Sequence, residues 1–262
     1  MLVRSELWRY EDMKILEYGD ENSKKIIFIH GFQSPYQVWN KYIEQYEKDF
    51  RIIVPIMPGH NPNQKENFTS FSETAKEIED YYIARYGNNV YAVYGMSMGG
   101  VLTATIWQNK RLNIDKVIFD GSPLVSFNSV IRKMMLSFYL NITHKSQQRD
   151  KKTLKQAVKT IITEENLDSL LQVLDNMSDA TITNYINNIA AFKLSDTIDT
   201  ENTKIYFYHG TAVNEFLARK SAKYISTNYS NAVIKCFRGK AHCENSLFHP
   251  ELMIKELDSV LL

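Results

Sequence analysis

A serine stands between two glycines where a strand-like segment meets a helix-like one. Residues 94–100 read "YGMSMGG", following "NNVYAV" and preceding "VLTATIWQNKR", so Gly95 to Gly99 match the pattern G-x-S-x-G. At a strand-to-helix junction this pattern forms a tight, strained turn that lifts the serine hydroxyl clear of the sheet. The N–H groups at the start of the helix point to the same place. The pattern predicts that Ser97 is a nucleophile; the alternative is a plain glycine-rich turn.

A serine hydroxyl needs a neighbouring base before it becomes a good nucleophile. The best candidate is His242, the last residue of "AVIKCFRGKAH", where the last strand-like segment runs into a loop that contains Gly239. The simpler alternative is a surface-loop histidine. The other histidines show no metal-ligand spacing, so we expect no metal site.

Four short segments resemble the α/β-hydrolase superfamily, and specifically its serine hydrolases with a helical cap. They are "HGF" at 30–32, "PGHN" at 58–61, "GMSMGG" at 95–100 and "GKAHCEN" at 239–245. The resemblance covers about residues 5–122 and 200–262, and it implies the chain order serine, acid, histidine. It also implies an oxyanion hole made of two backbone N–H groups, those of Met98 and Phe32.

The acid of the implied triad has two candidates. The family usually carries an aspartate after the strand that here reads "KIYFYHG", but the following residues "TAVNEFLARKSAKY" offer only Glu215. Asp120 ends the preceding strand, where some family members carry the acid. We favour Glu215 over Asp120, and we place Glu244 third because it is too close to His242 in sequence.

The surrounding pattern predicts a mostly parallel α/β sheet with helices on both faces, because short apolar strand-like runs alternate with helical ones. "SELWRY" and "MKILEYG" predict an antiparallel hairpin before it. Ser70 and Glu73 form a capping-box pattern at the start of a helix predicted to end at Gly87. Together these elements make a predicted core of residues 1–122 and 200–262.

The alternation stops between residues 123 and 199, where four apolar stripes have helical spacing. We expect these residues to form a helical cap inserted into the core, with Met134, Met135 and Phe138 on a stripe that partly roofs the substrate pocket. Residues 132–159 carry eight Lys or Arg against Asp150 alone. The simpler reading is a solvated helix face, and the sharper one is attraction for an anionic substrate or surface.

Composition narrows the class of protein further. The 262 residues have a net charge of +1, which gives no reason to expect a nucleic-acid partner. Two cysteines give no disulfide framework, which favours a reducing compartment. No window reaches the ~18 apolar residues of a membrane span, and the N-terminus lacks a signal-peptide pattern, so we expect a cytoplasmic location.

With the resemblance, these features imply a carboxylesterase-like serine hydrolase without a cofactor, acting on a small-molecule acyl or aryl ester through an acyl-enzyme on Ser97. A thioesterase, peptidase, C–C hydrolase or acyltransferase remains open, as does a non-catalytic ligand-binding member of the fold. No particular oligomeric state is predicted.

Overall fold

A computed structural model describes Trp8–Arg9 and residues 13–262 of the chain. Its strands form one eight-stranded sheet in the order β1-β2-β4-β3-β5-β6-β7-β8. From β4 onward across the sheet, neighbouring strands are parallel, and β2 is antiparallel to both of its neighbours. The strands are β1 Trp8–Arg9, β2 Lys14–Tyr18, β3 Lys24–Ile29, β4 Phe50–Pro55, β5 Asn89–Met96, β6 Asn113–Asp120, β7 Lys204–Gly210 and β8 Ala232–Phe237.

From β3 onward helices alternate with strands as predicted, and four helices lie between β6 and β7. The helices are α1 Asn40–Tyr46, α2 Phe71–Tyr86, α3 Met98–Asn109, α4 Ser129–Gln147, α5 Lys151–Thr160, α6 Leu167–Asn176, α7 Asp179–Ala191, α8 Phe216–Asn228, α9 Glu244–Phe248 and α10 Pro250–Leu261. None of them, within the described part of the chain, has the length and apolar character needed to cross a bilayer.

The buried side chains form one large apolar cluster on each face of the sheet. Along β3, Ile27 and Ile29 enter the cluster that contains α2, α3 and α8, whereas Ile26 and Phe28 enter the cluster that contains α1 and α10. This alternation is the period of two of an extended strand, and it explains why a strand covered on both faces is apolar throughout. The predicted fold class, an α/β sheet with helices on both faces, is confirmed.

Local signals at the element ends are also confirmed. Helix α2 begins after Ser70, whose side chain accepts a hydrogen bond from the backbone N–H of Glu73 at 3.2 Å, and ends at Gly87. In the predicted N-terminal hairpin, β1 pairs antiparallel with β2; the rest of "SELWRY" lies outside the described residues.

The four helices α4 to α7 lie between β6 and β7, where the four apolar stripes predicted them. They contact core loops: the Tyr185 hydroxyl of α7 donates to the carbonyl of Pro58 at 2.8 Å, and Asn184 donates to the carbonyl of Phe68 at 2.8 Å. The inner side of α4 packs through Met135, and not through the whole predicted stripe.

The outer side of α4 differs from the expectation for a pocket roof. Met134 is 59% exposed and Phe138 is 54% exposed, as is Val130 at 72%. Residues four apart lie one above the other on a helix, so these three share one stripe that faces solvent. The inner side is formed instead by their neighbours in sequence, Met135 and Tyr139 among them.

Candidate active site

Ser97 occupies the sharp turn between β5 and α3. Its backbone angles, φ 52° and ψ −117°, lie in a region that residues with side chains rarely adopt. The turn is closed by close packing of the flanking glycines: a Cβ on Gly95 would lie 2.4 Å from the carbonyl oxygen of Gly99, and one on Gly99 would lie 2.3 Å from that of Ile29. The two glycines of the motif are therefore required by backbone contacts, which is the physical basis of the pattern.

Three predicted side chains come together at the carboxyl edge of the sheet. The Ser97 Oγ lies 2.8 Å from Nε2 of His242, and the opposite ring nitrogen, Nδ1, is hydrogen-bonded to Oε1 of Glu215. Glu215 is completely buried, and its Oε2 accepts the backbone N–H of Gly210 at 2.7 Å. A buried carboxylate that receives the Nδ1–H leaves Nε2 unprotonated, so this nitrogen is able to accept the serine proton.

The electrostatics of the site raise the pKa of His242 above its ordinary 6.5. Burial alone would lower this pKa, because it disfavours the charged imidazolium. The hydrogen bond and the charge of Glu215, with a smaller contribution from the charge of Asp120, outweigh the burial. The site thus stabilises the imidazolium that forms when the histidine accepts a proton.

Asp120, the alternative acid, lies at the end of β6 but bonds to other groups. Its carboxylate accepts hydrogen bonds from the hydroxyls of Ser246 and, at 3.3 Å, of Tyr94, while His242 bonds to Glu215. Burial raises the pKa of Asp120 to about 6, partly offset by the Ser246 hydrogen bond. Its backbone carbonyl accepts the N–H of Ser97 at 2.7 Å, so Asp120 connects the serine turn to the start of α9. Glu244, the third candidate, bonds to Lys240 and to the N–H of Ala241.

The loop after β3 lies directly against the serine. A Cβ built on Gly31 would be 3.5 Å from the Cβ of Ser97. The N–H of Phe32 donates to no acceptor in the described chain, and Met98 is the first residue of α3, where N–H groups have no acceptor within the helix. Both amides predicted for the oxyanion hole thus belong to the segments that flank Ser97.

His30 supports the loop after β3 through both of its ring nitrogens. It is fully buried; its Nε2 accepts the N–H of Met57 at 3.2 Å, and its Nδ1 lies 3.0 Å from the carbonyl oxygen of Gly31. Burial lowers the pKa of His30 to about 4, so the ring is neutral at neutral pH. It bridges the ends of β3 and β4 beneath the site.

Aromatic side chains surround the loop after β3. The ring of Phe32 lies 4.9 Å from that of Tyr139 on α4, 5.0 Å from that of Tyr185 on α7 and 5.8 Å from that of His60. Burial raises the pKa of Tyr139 to about 12, with a further contribution from Cys243 beside His242. Tyr139 and Tyr185 had no role in the sequence analysis; the signal for Tyr139 was its position four residues after Met135, on the inner side of α4.

Cys243 follows His242 in a left-handed backbone conformation, with φ 49°. Its thiol lies 3.6 Å from the carbonyl oxygen of Asp120, and burial raises its pKa well above the ordinary value, so it stays protonated. Within residues 13–262, no group of three or more His, Cys, Asp or Glu side chains is arranged to hold a metal ion. A cavity of about 250 Å³ lies elsewhere, against α1 and the segment after α5; its lining includes Lys41, Ile162 and Leu247 and none of the predicted triad residues.

The chain matches a known protein family and is similar in fold to solved structures. A family model described as "alpha/beta hydrolase fold" matches residues 24–241. Among solved structures, the chain is similar to an alpha/beta hydrolase family protein from Desulfitobacterium hafniense, with a TM-score of 0.72, 15% identity and coverage of 95% of this chain and 100% of that one. It is also similar to an esterase from Exiguobacterium antarcticum, with a TM-score of 0.71, 15% identity and coverage of 97% and 98%.

A third similar structure is the carboxylesterase CesB from Bacillus subtilis, with a TM-score of 0.67, 14% identity and coverage of 98% of this chain and 91% of that one. No curated protein matches the sequence. At these identities the solved structures show a shared fold and leave the reaction to be argued from the site.

Proposed function

The chain belongs to the alpha/beta hydrolase fold family, and we propose that within this family it is a serine hydrolase that cleaves an ester through an acyl-enzyme on Ser97. The observation that carries the proposal is the unbroken hydrogen-bond path from Ser97 through His242 to Glu215. A hydroxyl, an imidazole and a buried carboxylate in this order are the components of a nucleophile activated by an oriented base.

In the first half of the reaction, the Ser97 hydroxyl attacks the ester carbonyl carbon while Nε2 of His242 takes its proton. The C–O bond to the leaving alcohol then breaks, and the alcohol leaves with the proton returned by His242. Glu215 holds Nδ1–H throughout and stabilises the transient imidazolium, consistent with the raised pKa of His242. The acyl group is now esterified to Ser97.

In the second half, water repeats the same sequence on the acyl-enzyme. His242 takes a proton from the water as its oxygen attacks the acyl carbon, and then protonates Ser97 as the carboxylic acid leaves. Negative charge develops on the carbonyl oxygen in both halves. The N–H groups of Phe32 and Met98 are the proposed donors to that oxygen, and fixed donors of this kind contribute about 10²- to 10³-fold each to the rate.

The proposed substrate is a small acyl or aryl ester. The support is the aromatic surroundings of the loop after β3, which lies against Ser97, since Phe32 in this loop is bordered by the rings of Tyr139 and Tyr185. On this proposal residues 123–199 are a cap over a core of residues 1–122 and 200–262, with the inner side of α4 as part of the pocket wall. Met135 remains a proposed pocket residue, and we propose the exposed Met134 and Phe138 for the outer edge of the pocket.

An alkyl fluorophosphonate tests the proposal, because it phosphonylates a serine that a neighbouring base activates. We expect the native chain to be labelled at Ser97 and to hydrolyse p-nitrophenyl acetate or butyrate, and Ser97→Ala to lose both properties while keeping the circular dichroism spectrum of the native protein. Cys243→Ser serves as a control for thiol chemistry, since labelling should persist. Labelling that survives in Ser97→Ala, or a native chain that reacts with neither reagent, would contradict the proposal.

A further inference from the structure

The residue after the proposed oxyanion donor has an unfavourable backbone conformation. Residues 31–34 form a turn in which the N–H of Ser34 donates to the carbonyl of Gly31 at 3.3 Å. Gln33 is the third residue of this turn and has φ 54°, a position where glycine or asparagine is usual. For a residue other than glycine or asparagine this conformation is unfavourable, so the surrounding contacts must hold Gln33 in it.

Three hydrogen bonds hold Gln33 in this conformation, and the longest runs from its side-chain Nε2 to the sulfur of Met177 at 3.8 Å. The backbone N–H of Gln33 donates to Nε2 of His60 at 2.9 Å, and its side-chain Nε2 donates to the hydroxyl of Thr143 on α4 at 2.6 Å. Gln33 itself is only 5% exposed. The turn is thus bonded on one side to the loop after β4, through His60, and on the other side to α4, through Thr143.

His60 is a suitable permanent acceptor. It is 1% exposed, and burial, together with the neighbouring ring of His30 at 4.8 Å, lowers its pKa well below the ordinary value. Its ring therefore stays neutral at neutral pH, and Nε2 remains free to accept the N–H of Gln33.

Thr143 is equally well fixed. It is fully buried in α4, and its hydroxyl donates to the carbonyl of Tyr139 at 2.7 Å while it accepts from Gln33. Tyr139 in turn packs on the ring of Phe32. Helix α4 thus contacts two consecutive residues of the turn, Phe32 by its ring and Gln33 by its amide.

We propose that Gln33 is a positioning residue for the hydrolysis, and that Thr143 of α4 acts through it to aim the Phe32 N–H at the reacting oxygen. The inference rests on the function proposed above. Gln33 does not touch the substrate; it holds the peptide that carries the donor. Since the donor serves only the charged oxygen of the transition state, weakening its support should lower kcat and leave KM nearly unchanged.

The test uses Thr143→Val, which keeps the shape and removes the acceptor, and Gln33→Met, which keeps the length and removes the amide. Thr143→Ser keeps the hydroxyl and should keep the native kcat and boronate affinity. Thr74→Val is the matched control, because Thr74 is also buried in a helix and its hydroxyl also donates to the carbonyl four residues earlier, that of Ser70. Circular dichroism and urea unfolding establish that each variant is folded.

Two measurements separate positioning from stability: kcat and KM for p-nitrophenyl butyrate, and the inhibition constant of an alkyl boronic acid compared with the binding of butyrate. A boronic acid forms a tetrahedral adduct with the serine, so it reports on the oxyanion donors, whereas butyrate reports on the pocket. For Thr143→Val and Gln33→Met we expect kcat to fall about tenfold or more, boronate affinity to fall in parallel, and butyrate binding to stay within about threefold, because the loss of one donor entirely costs about 10²- to 10³-fold.

The inference is overturned if Gln33→Met keeps native kcat and boronate affinity, if both substitutions raise only KM, or if Thr74→Val loses as much kcat as Thr143→Val. Should Thr143→Val fail to fold, Gln33→Met and Thr143→Ser decide the matter by the same measurements. Failure of the proposed function is a different result: the native chain would then be neither labelled by the fluorophosphonate nor active on the ester.

Discussion

Replacing Glu215 with glutamine would reverse the hydrogen-bond pattern that the structure offers to His242. Both carboxylate oxygens are acceptors, Oε1 for His242 Nδ1 and Oε2 for the N–H of Gly210 at 2.7 Å. The N–H of Gly210 requires an oxygen, so a glutamine must turn its oxygen there and its NH₂ group toward His242. Nδ1 then becomes the acceptor, the ring proton moves to Nε2, and Nε2 is no longer able to take the Ser97 proton.

The expected loss follows from this change of tautomer. The equivalent acid-to-amide change in a serine protease costs about 10⁴ in rate, or about 5 kcal/mol of transition-state stabilisation. Asp120 remains close enough to His242 for its charge to raise the pKa of the ring, and this support softens the loss. We therefore expect Glu215→Gln to lower kcat by about 10²- to 10⁴-fold with little change in KM, as for an interaction made mainly in the transition state.

The assay is steady-state hydrolysis of p-nitrophenyl butyrate from pH 5 to 9, with Asp120→Asn as the matched control. Asp120 has its own partners, Ser246 and Tyr94, and so its substitution should cost markedly less kcat. The Glu215 hydrogen bond and charge raise the pKa of His242. Their removal should move the acid limb of any residual activity to lower pH.

Three results would refute the assignment of Glu215 as the single acid. If Asp120→Asn lost more kcat than Glu215→Gln, Asp120 would be the acid and Glu215 a residue at the start of α8. If Glu215→Gln stayed within about tenfold of the native kcat, the tautomer argument would be wrong, since that argument requires at least the lower end of the acid-to-amide cost. Comparable large losses in both variants would mean that the two carboxylates share the role.

Three more predictions concern stability and selectivity. The pKa of Asp120 is about 6 against an ordinary 3.8, so its charged form disfavours the folded state by about 3 kcal/mol; this cost is absent below about pH 4 and complete above about pH 6. Urea unfolding should therefore show the stability of Asp120→Asn, relative to that of the native chain, rising by up to that amount between pH 4 and pH 7. A stability difference that does not change with pH would contradict this. Gly99→Ala should lower the free energy of unfolding by about 1–3 kcal/mol and abolish activity, because the added Cβ would meet the backbone carbonyl of Ile29. Tyr139→Ala should shift the preferred length in a series of p-nitrophenyl acyl esters more than Phe138→Ala, since Phe138 is 54% exposed; the reverse order would place Phe138 in the pocket.

The sequence by itself was sufficient to predict the strands and helices and the α/β fold class. Short β-branched runs such as "KKIIFI" and the 3.6-residue stripes of the helices are local signals, because each element must bury its own apolar face. The strand–turn–helix context of G-x-S-x-G is local as well, and the structure shows why: Gly95 and Gly99 have no room for a Cβ. The start of α2 at Ser70 was readable for the same reason, since a cap bonds three residues away.

Other features depended on distances that sequence does not encode. Asp120 ends β6 and Glu215 follows β7, and the carboxyl ends of these two strands meet at one edge of the sheet, so periodicity left both candidates open. The path of the loop after β7 brings Glu215 to His242, while the hydroxyls of Ser246 and Tyr94 donate to the carboxylate of Asp120.

The same limit applies to α4 and to the turn after β3. An apolar stripe shows that a helix has an apolar side, but not which of its apolar residues a neighbour covers, and so Met134 and Phe138 are exposed while Tyr139 is packed. The bond between Gln33 and Thr143 joins residues 110 positions apart, and the bond between Gln33 and His60 joins residues 27 apart. Single buried hydrogen bonds of this kind leave no periodic signal, because they depend on where whole elements come to rest against each other.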